Sequence, residues 1–287
     1  MEYAIEVRNL TKRYKGFTLD DISFALPQGT VMGLIGENGA GKSTLINSIL
    51  GIADSESSLT AMLGLDMKTH SKKIKEDIAV IFNDSHYDIN LTPKIIGHIL
   101  SKVYKNWDGP LFTEYLERFN LPEEKKIKKL SAGMRVKLEF AAALSHHPKL
   151  LILDEATSGL DPVFRDEILD ILREFTEDED HAVLMSSHIT SDLDKIADYI
   201  AYLHEGKMQF IKTYDEIRSD YGIITCGQEL FDTLSRYDIA AYKKEPCSYR
   251  VLVKNRTKLR QIFQDIPMEN ASVEDIMLFY VKGEKVK

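Results

Sequence analysis

Short, nearly uninterrupted apolar runs at Ile78–Phe82, Leu150–Leu153 and Ala182–Ser186 frame the sequence. Each has the length of a strand and is too short for an ordinary helix. A further run, Thr30–Ile35, leads into glycines and then a helical pattern over Thr44–Leu50. Runs without a polar alternate predict strands buried on both faces. Helical patterns between them predict a mixed, mainly parallel α/β sheet covered on both sides. Ile5–Val7 and Phe17–Leu26 alternate instead, which predicts a small N-terminal antiparallel β layer. Pro93–Leu144 is mostly helical in pattern, broken at Gly109-Pro110 and Leu121-Pro122, and Val163–Thr176 predicts an amphipathic helix. Ile200–Leu203 and Met208–Ile211 flank Glu205-Gly206-Lys207, a hairpin signal. After about residue 212 the pattern changes. Phe231–Tyr242, Tyr249–Lys254 and the helical Val273–Tyr280 read as a small α+β extension. Val273, Ile276, Met277 and Tyr280 recur at helical spacing, which predicts one face docked on the preceding strands.

The glycines after Ile35 carry chemistry. Gly36-Glu-Asn-Gly-Ala-Gly-Lys-Ser-Thr44 satisfies G-x-x-x-x-G-K-[ST] between a strand and a helix. Glycines let the backbone wrap a phosphate with its N–H groups, and the positive end of the following helix faces the same anion. Gly36, Asn38, Gly39, Ala40, Gly41 and Thr44 form that cradle. Lys42 reaches the β- and γ-phosphates, and the Ser43 hydroxyl is placed to ligate Mg2+. Downstream, the apolar strand Leu150–Leu153 ends in Asp154-Glu155, at the edge where open α/β sheets bind ligands. Asp154 is expected to hold Mg2+ and Glu155 to act as general base on the attacking water. The two motifs together specify a P-loop NTPase that uses Mg2+.

Composition narrows the partners. The 287 residues carry a formal net charge of -8, which argues against a nucleic-acid surface. Two cysteines without metal-type spacing suggest a reducing compartment. No window approaches the roughly 20 apolar residues of a membrane span, so any membrane role must pass through a partner. His146-His147, with no second ligand pair nearby, reads as a surface doublet.

Leu130-Ser-Ala-Gly-Met134, followed by a helical pattern, resembles the signature motif of ATP-binding-cassette (ABC) ATPases. The order of the other motifs is similar to that family over roughly residues 1–210. Tyr14 sits where the family stacks an aromatic on adenine. Ser158-Gly-Leu-Asp161 matches the loop after the second carboxylate, and His188 in Ser186-Ser-His matches the switch histidine. The resemblance implies that Ser131 and Gly133 complete the ATP site of a second subunit, in a head-to-tail dimer that ATP closes. Ser131 and Asp161 also read as helix N-caps, which is compatible with dimer contact. It further implies an ATPase that drives separate transmembrane permease subunits from the cytoplasmic face of the membrane. The implied division is a nucleotide-binding domain over 1–211, with a helical subdomain at about 84–145, and an accessory domain over 212–287. The C-terminal extension and short motif spacing resemble bacterial exporter-type subunits for antimicrobial peptides such as bacitracin. An importer ATPase or a non-transport ABC ATPase is the alternative, although only 89 positions separate Lys42 from Ser131, with no coiled-coil heptads between them.

The departures from the family pattern are specific. Asn83 follows Ile78–Phe82 where the family has a glutamine that touches Mg2+ or the attacking water. Asparagine offers the same amide with a reach shorter by one methylene. The polar run Asn83–Asp88 reads as the hinge between the ATP site and the transport partner, in preference to an independent metal site built from Asp84, His86 and Asp88. Ala132 and Met134 replace the usual glycine and glutamine of the signature, and the added methyl beside the γ-phosphate position is expected to slow dimer closure. Ala132→Gly should therefore raise ATP-driven dimerisation, measured by size-exclusion chromatography of the ATP-loaded chain; unchanged dimerisation would reject this.

Overall fold

A computed structural model describes residues 2–83, 87–263 and 266–284. Two compact units emerge: Met1–Ala197 with Ala201–Gln209, and Asp198–Ile200 with Phe210–Lys287.

The first unit opens with β1 (Tyr3–Tyr14), β2 (Phe17–Pro27) and β3 (Thr30–Ile35), followed by α1 (Lys42–Ile49). Next come β4 (Leu59–Met62), β5 (Leu65–Asp66), α2 (Met67–Asp77) and β6 (Ile78–Phe82). Three helices follow: α3 (Pro93–Val103), α4 (Gly109–Arg118) and α5 (Ala132–Leu144). The chain continues through β7 (Leu150–Asp154), α6 (Pro162–Phe175), β8 (Ala182–Ser186) and α7 (Thr190–Ile196), then β9 (Tyr199–His204) and β10 (Lys207–Thr213). Six strands form one sheet in the order β10-β9-β3-β8-β7-β6, and β3, β8, β7 and β6 run parallel. A second sheet, β2-β1-β4-β5, is antiparallel.

Parallel register is what builds the site. Leu34 pairs with Ser186, Asp154 with Ser186, and Phe82 with Asp154. The carboxyl ends of these four strands therefore lie level, and the residues just past them (Gly36, Asn83, Glu155, Ser187) emerge along one edge. All five residues of both β7 and β8 are buried, so the strands that carry the chemistry sit at the centre of the core. N-caps fix the helices that follow. Ser131 accepts from the Met134 amide, Asp161 from the Phe164 amide and Thr92 from the Ile95 amide.

Several expectations change. The β layer includes β4, β5 and the full length of β1, where the sequence shows only Ile5–Val7. His146 is not at the surface: it is 2% exposed, its ring stacks on Tyr104 at 4.0 Å, and Nε2 lies 3.2 Å from the Ile78 carbonyl oxygen. Burial pushes its pKa down, which favours the neutral ring. His147 alone is exposed, because the chain turns into the left-handed region there at φ 52°. Of the disfavoured alternative of a metal site at Asp84, His86 and Asp88, Asp84 and His86 lie outside the described residues. Among the described residues no group of three His, Cys, Asp or Glu side chains is placed to hold a metal.

The second unit contains α8 (Tyr214–Asp220), β11 (Gly222–Cys226), α9 (Gln228–Thr233), β12 (Ile239–Lys244) and β13 (Tyr249–Val253). It ends with α10 (Arg256–Ile262), β14 (Met268–Asn270) and α11 (Val273–Lys282). Its sheet is antiparallel in the order β12-β13-β11-β14. Phe231 stacks on Tyr249 at 4.3 Å within its core. On α11 the fully buried positions are Val273, Ile276 and Phe279, while Met277 and Tyr280 are half-buried. The buried stripe is thus rotated from the predicted one toward Phe279.

Candidate nucleotide site

Gly36 to Gly41 connects β3 to α1 as a loop, and Gly41 holds the helix N-cap at φ 109°. Only glycine fits there. A Cβ at Gly41 would come within 2.6 Å of Phe17 Cζ and 2.8 Å of Leu19 Cδ2, and the positive φ adds strain for any other residue. The loop borders a cleft of about 520 Å3 lined by Phe17, Asn38, Gly39, Gly41, Lys42, Ser43, Thr44 and Glu155.

Lys42 is 5% exposed, and its ammonium group is held from three sides. Nζ donates to the Gly36 carbonyl at 2.8 Å and to the Glu37 carbonyl at 3.3 Å, and it lies 3.4 Å from Glu155 Oε1. The other carboxylate oxygen of Glu155, Oε2, lies 3.4 Å from His188 Nδ1. One carboxylate thus stands between the phosphate-loop lysine and the histidine after β8.

Glu155 has φ 54°, an uncommon conformation for a long side chain. Its amide donates to Ser186 Oγ at 3.0 Å and to the Ser186 carbonyl at 3.2 Å, which fixes this turn. Ser186 Oγ in turn donates to Asp154 Oδ1 at 2.6 Å. A single buried hydroxyl therefore holds the Asp154 carboxylate and the Glu155 backbone at once. Behind them, Thr157 Oγ1 donates to Asp192 Oδ2 at 3.0 Å, and Arg165 Nε lies 3.4 Å from Asp192 Oδ1.

Ser43 is exposed on the cleft, Asp154 is 7% exposed at the end of β7, and Asn83 is exposed one residue past the register partner of Asp154. A hydroxyl, a carboxylate and an amide oxygen are all hard oxygen donors, which suits Mg2+. Tyr14 is half-exposed and lies opposite Phe17 in the β1–β2 register, with Lys12 Nζ 4.9 Å over its ring. Phe17 is the aromatic that lines the cleft. Ser131 and Asp161 are exposed at the starts of α5 and α6, and a Cβ on Gly133 would meet nothing within 4 Å. None of these three lines the cleft of its own chain. The Phe164 amide holds the Asp161 carboxyl below the usual carboxylate range.

Sequence reasoning missed Phe17, Ser186, Thr157 and Asp192. Phe17 could have been found as the residue opposite Tyr14 across a tight hairpin. Ser186 becomes visible only through the parallel register that sets it beside Asp154.

Residues 19–158 match a family model described as ABC transporter. The ABC transporter ATP-binding protein YtrB of Bacillus subtilis is 30% identical over 80% of this chain and 77% of its own. The bacitracin transport ATP-binding protein BcrA of Enterococcus faecalis is 34% identical over 72% of this chain and 68% of its own. A solved ATP-binding subunit of an ABC transporter superposes with a TM-score of 0.70 at 26% identity, over 75% of this chain and 92% of its own.

Proposed function

The chain belongs to the ABC transporter family as an ATP-binding ATPase, and on that premise we propose that it drives separate membrane-spanning permease subunits, in the manner of a bacterial exporter of peptides or amphipathic compounds. The observation that carries the enzymatic half is the Glu155 carboxylate held between Lys42 and His188, each at 3.4 Å.

In this reading the loop amides of Gly39–Ser43 and the Lys42 ammonium hold the β- and γ-phosphates. Phe17 floors the cleft, and Tyr14 beside it offers a face to adenine. Ser43, Asp154 and Asn83 would hold Mg2+, whose contribution is to neutralise phosphate charge. Glu155 takes a proton from the attacking water, and His188 orients that water and the carboxylate. The spent γ-phosphate leaves a loop that has lost part of its ligand. Ser131, Gly133 and Asp161 stand away from this cleft, on surfaces suited to the site of a second ATPase copy. ATP then closes the pair and hydrolysis opens it.

No helix among the described residues is long and apolar enough to cross a membrane. The membrane half is supported by one surface feature. On α3, Ile95, Ile99 and Val103 are 46%, 44% and 62% exposed at successive i, i+4 spacing, an apolar stripe on the helix that follows Asn83. Such a stripe suits an apolar helical segment of a permease at the cytoplasmic face. Similarity to a bacitracin transport protein supports the export direction.

Affinity purification of the full chain from membranes should recover a permease. Ile99→Asp should abolish that recovery and substrate-stimulated turnover, and leave basal ATP hydrolysis of the isolated chain intact. Parallel loss of basal hydrolysis would reject the docking role, and failure of the unaltered chain to hydrolyse ATP would reject the enzymatic one.

A further inference from the structure

Glu37 places a carboxylate inside the loop that must hold a polyanion. A negative group there opposes the triphosphate, and the glycine spacing of the loop does not call for it. The structure provides it with a partner. His204, the last residue of β9, brings Nδ1 to 3.0 Å from Glu37 Oε1, with the two side chains 16% and 35% exposed. Two lone pairs would repel at that separation, so the ring nitrogen facing the carboxylate carries its hydrogen. Nδ1 is buried and its N–H is not aligned for a directed hydrogen bond, so the contact acts through the dipole of the ring.

The histidine stands on a turn that grips the same loop at a second point. Gly206 donates its N–H to the Ala40 carbonyl at 3.1 Å, and its own carbonyl accepts from the Asp20 amide at 2.9 Å. Gly206 has φ 73°, and a Cβ there would collide with the Thr18 carbonyl. The β9–β10 turn is thus wedged between the phosphate loop and β2, with the Tyr202 ring stacked 6.1 Å from that of His204. Displacing residue 37 would also disturb Lys42, because Nζ donates to the Glu37 carbonyl.

We infer that His204 is a positioning residue for the triphosphate: it holds the Glu37 carboxylate and offsets its charge, leaving the loop amides and Lys42 to face the phosphates. The inference rests on ATP binding at this loop. It makes the β9–β10 turn part of the nucleotide site, from a stretch of sequence that carries no nucleotide motif.

A double-substitution cycle tests it. Equilibrium affinity for a fluorescent ATP analogue is measured on the full chain, on H204A, on E37Q and on the double variant, each checked for an intact melting transition. H204A is expected to weaken binding about three- to fivefold, the scale of a single polar contact. Added to the E37Q background, it should have no effect. H204Q, whose side-chain amide can turn an N–H dipole toward Glu37, should lose less than H204A. Unchanged affinity in H204A, an equal loss in both Glu37 backgrounds, or a loss in H204Q as large as in H204A would each overturn the assignment. Failure of the unaltered chain to bind the analogue would overturn the nucleotide-site reading itself, and is distinguishable from all three.

Discussion

Glu155→Gln is expected to cut ATP turnover by roughly two to four orders of magnitude, the usual worth of a positioned general base. Glutamine has the same shape and fits the turn at φ 54° that the Ser186 hydroxyl and carbonyl hold in place. The substitution therefore removes a proton acceptor without removing the geometry. It also removes a negative charge 3.4 Å from Lys42. In the nucleotide-free chain that charge competes with phosphate for the lysine, so ATP should bind at least as well as before. Slow hydrolysis with retained binding should let ATP-closed dimers accumulate. Single-turnover hydrolysis and size-exclusion chromatography in ATP read the two halves separately. Turnover within about tenfold of the unaltered chain would sink the general-base assignment and shift attention to His188.

The elements most legible in the sequence are those under the tightest physical constraint. β6, β7 and β8 are covered on both faces, so no polar alternate survives and the runs declare themselves. The loop from Gly36 to Thr44 is legible because few backbones besides a phosphate cradle need glycines at that spacing. By contrast, α2 reads MKTHSKKIKED, with only Met67 and Ile74 buried, and its pattern is too polar to announce a helix. β4 is short and gains its strand character from β1, a partner distant in sequence, and the two-residue β5 pairs with β4 in turn. His146 follows the buried face of α5 past the helix end, and only the packing against Tyr104 and Ile78 reveals it.

Within the site the same division holds. Residues that face the nucleotide could be read from motif spacing, because phosphate chemistry dictates their type. Residues that orient them could not. Ser186 looks like the polar end of a strand until parallel pairing sets it opposite Asp154. His204 and Glu37 are far apart along the chain, and neither side chain signals the other. Second-rank positions of this kind depend on register and turn geometry, which local sequence does not encode.

Lys42→Ala should weaken ATP binding about 10- to 100-fold, from the loss of charge-assisted hydrogen bonds of roughly 1.5–3 kcal/mol to a polyanion. The fold should survive. Lys42 leaves behind the Gly36 and Glu37 carbonyls and the Glu155 carboxylate, and the cleft that Lys42 and Glu155 line is open enough for water to replace the ammonium. Lys42→Arg should not rescue binding, because a planar guanidinium is too broad for a pocket that leaves the native side chain 4% exposed. Added salt should narrow the gap between Lys42→Ala and the unaltered chain, since ions screen the lost attraction. Coupling to Glu155 gives the sharper test. With the carboxylate present, Lys42 divides its charge between Glu155 and the phosphates; in Glu155→Gln it is available to the phosphates alone. The loss caused by Lys42→Ala should therefore be larger in the Glu155→Gln background than in the unaltered one. Equal losses in the two backgrounds would mean that the 3.4 Å contact has no part in nucleotide binding, and would leave Glu155 tied to the site only through His188 and water.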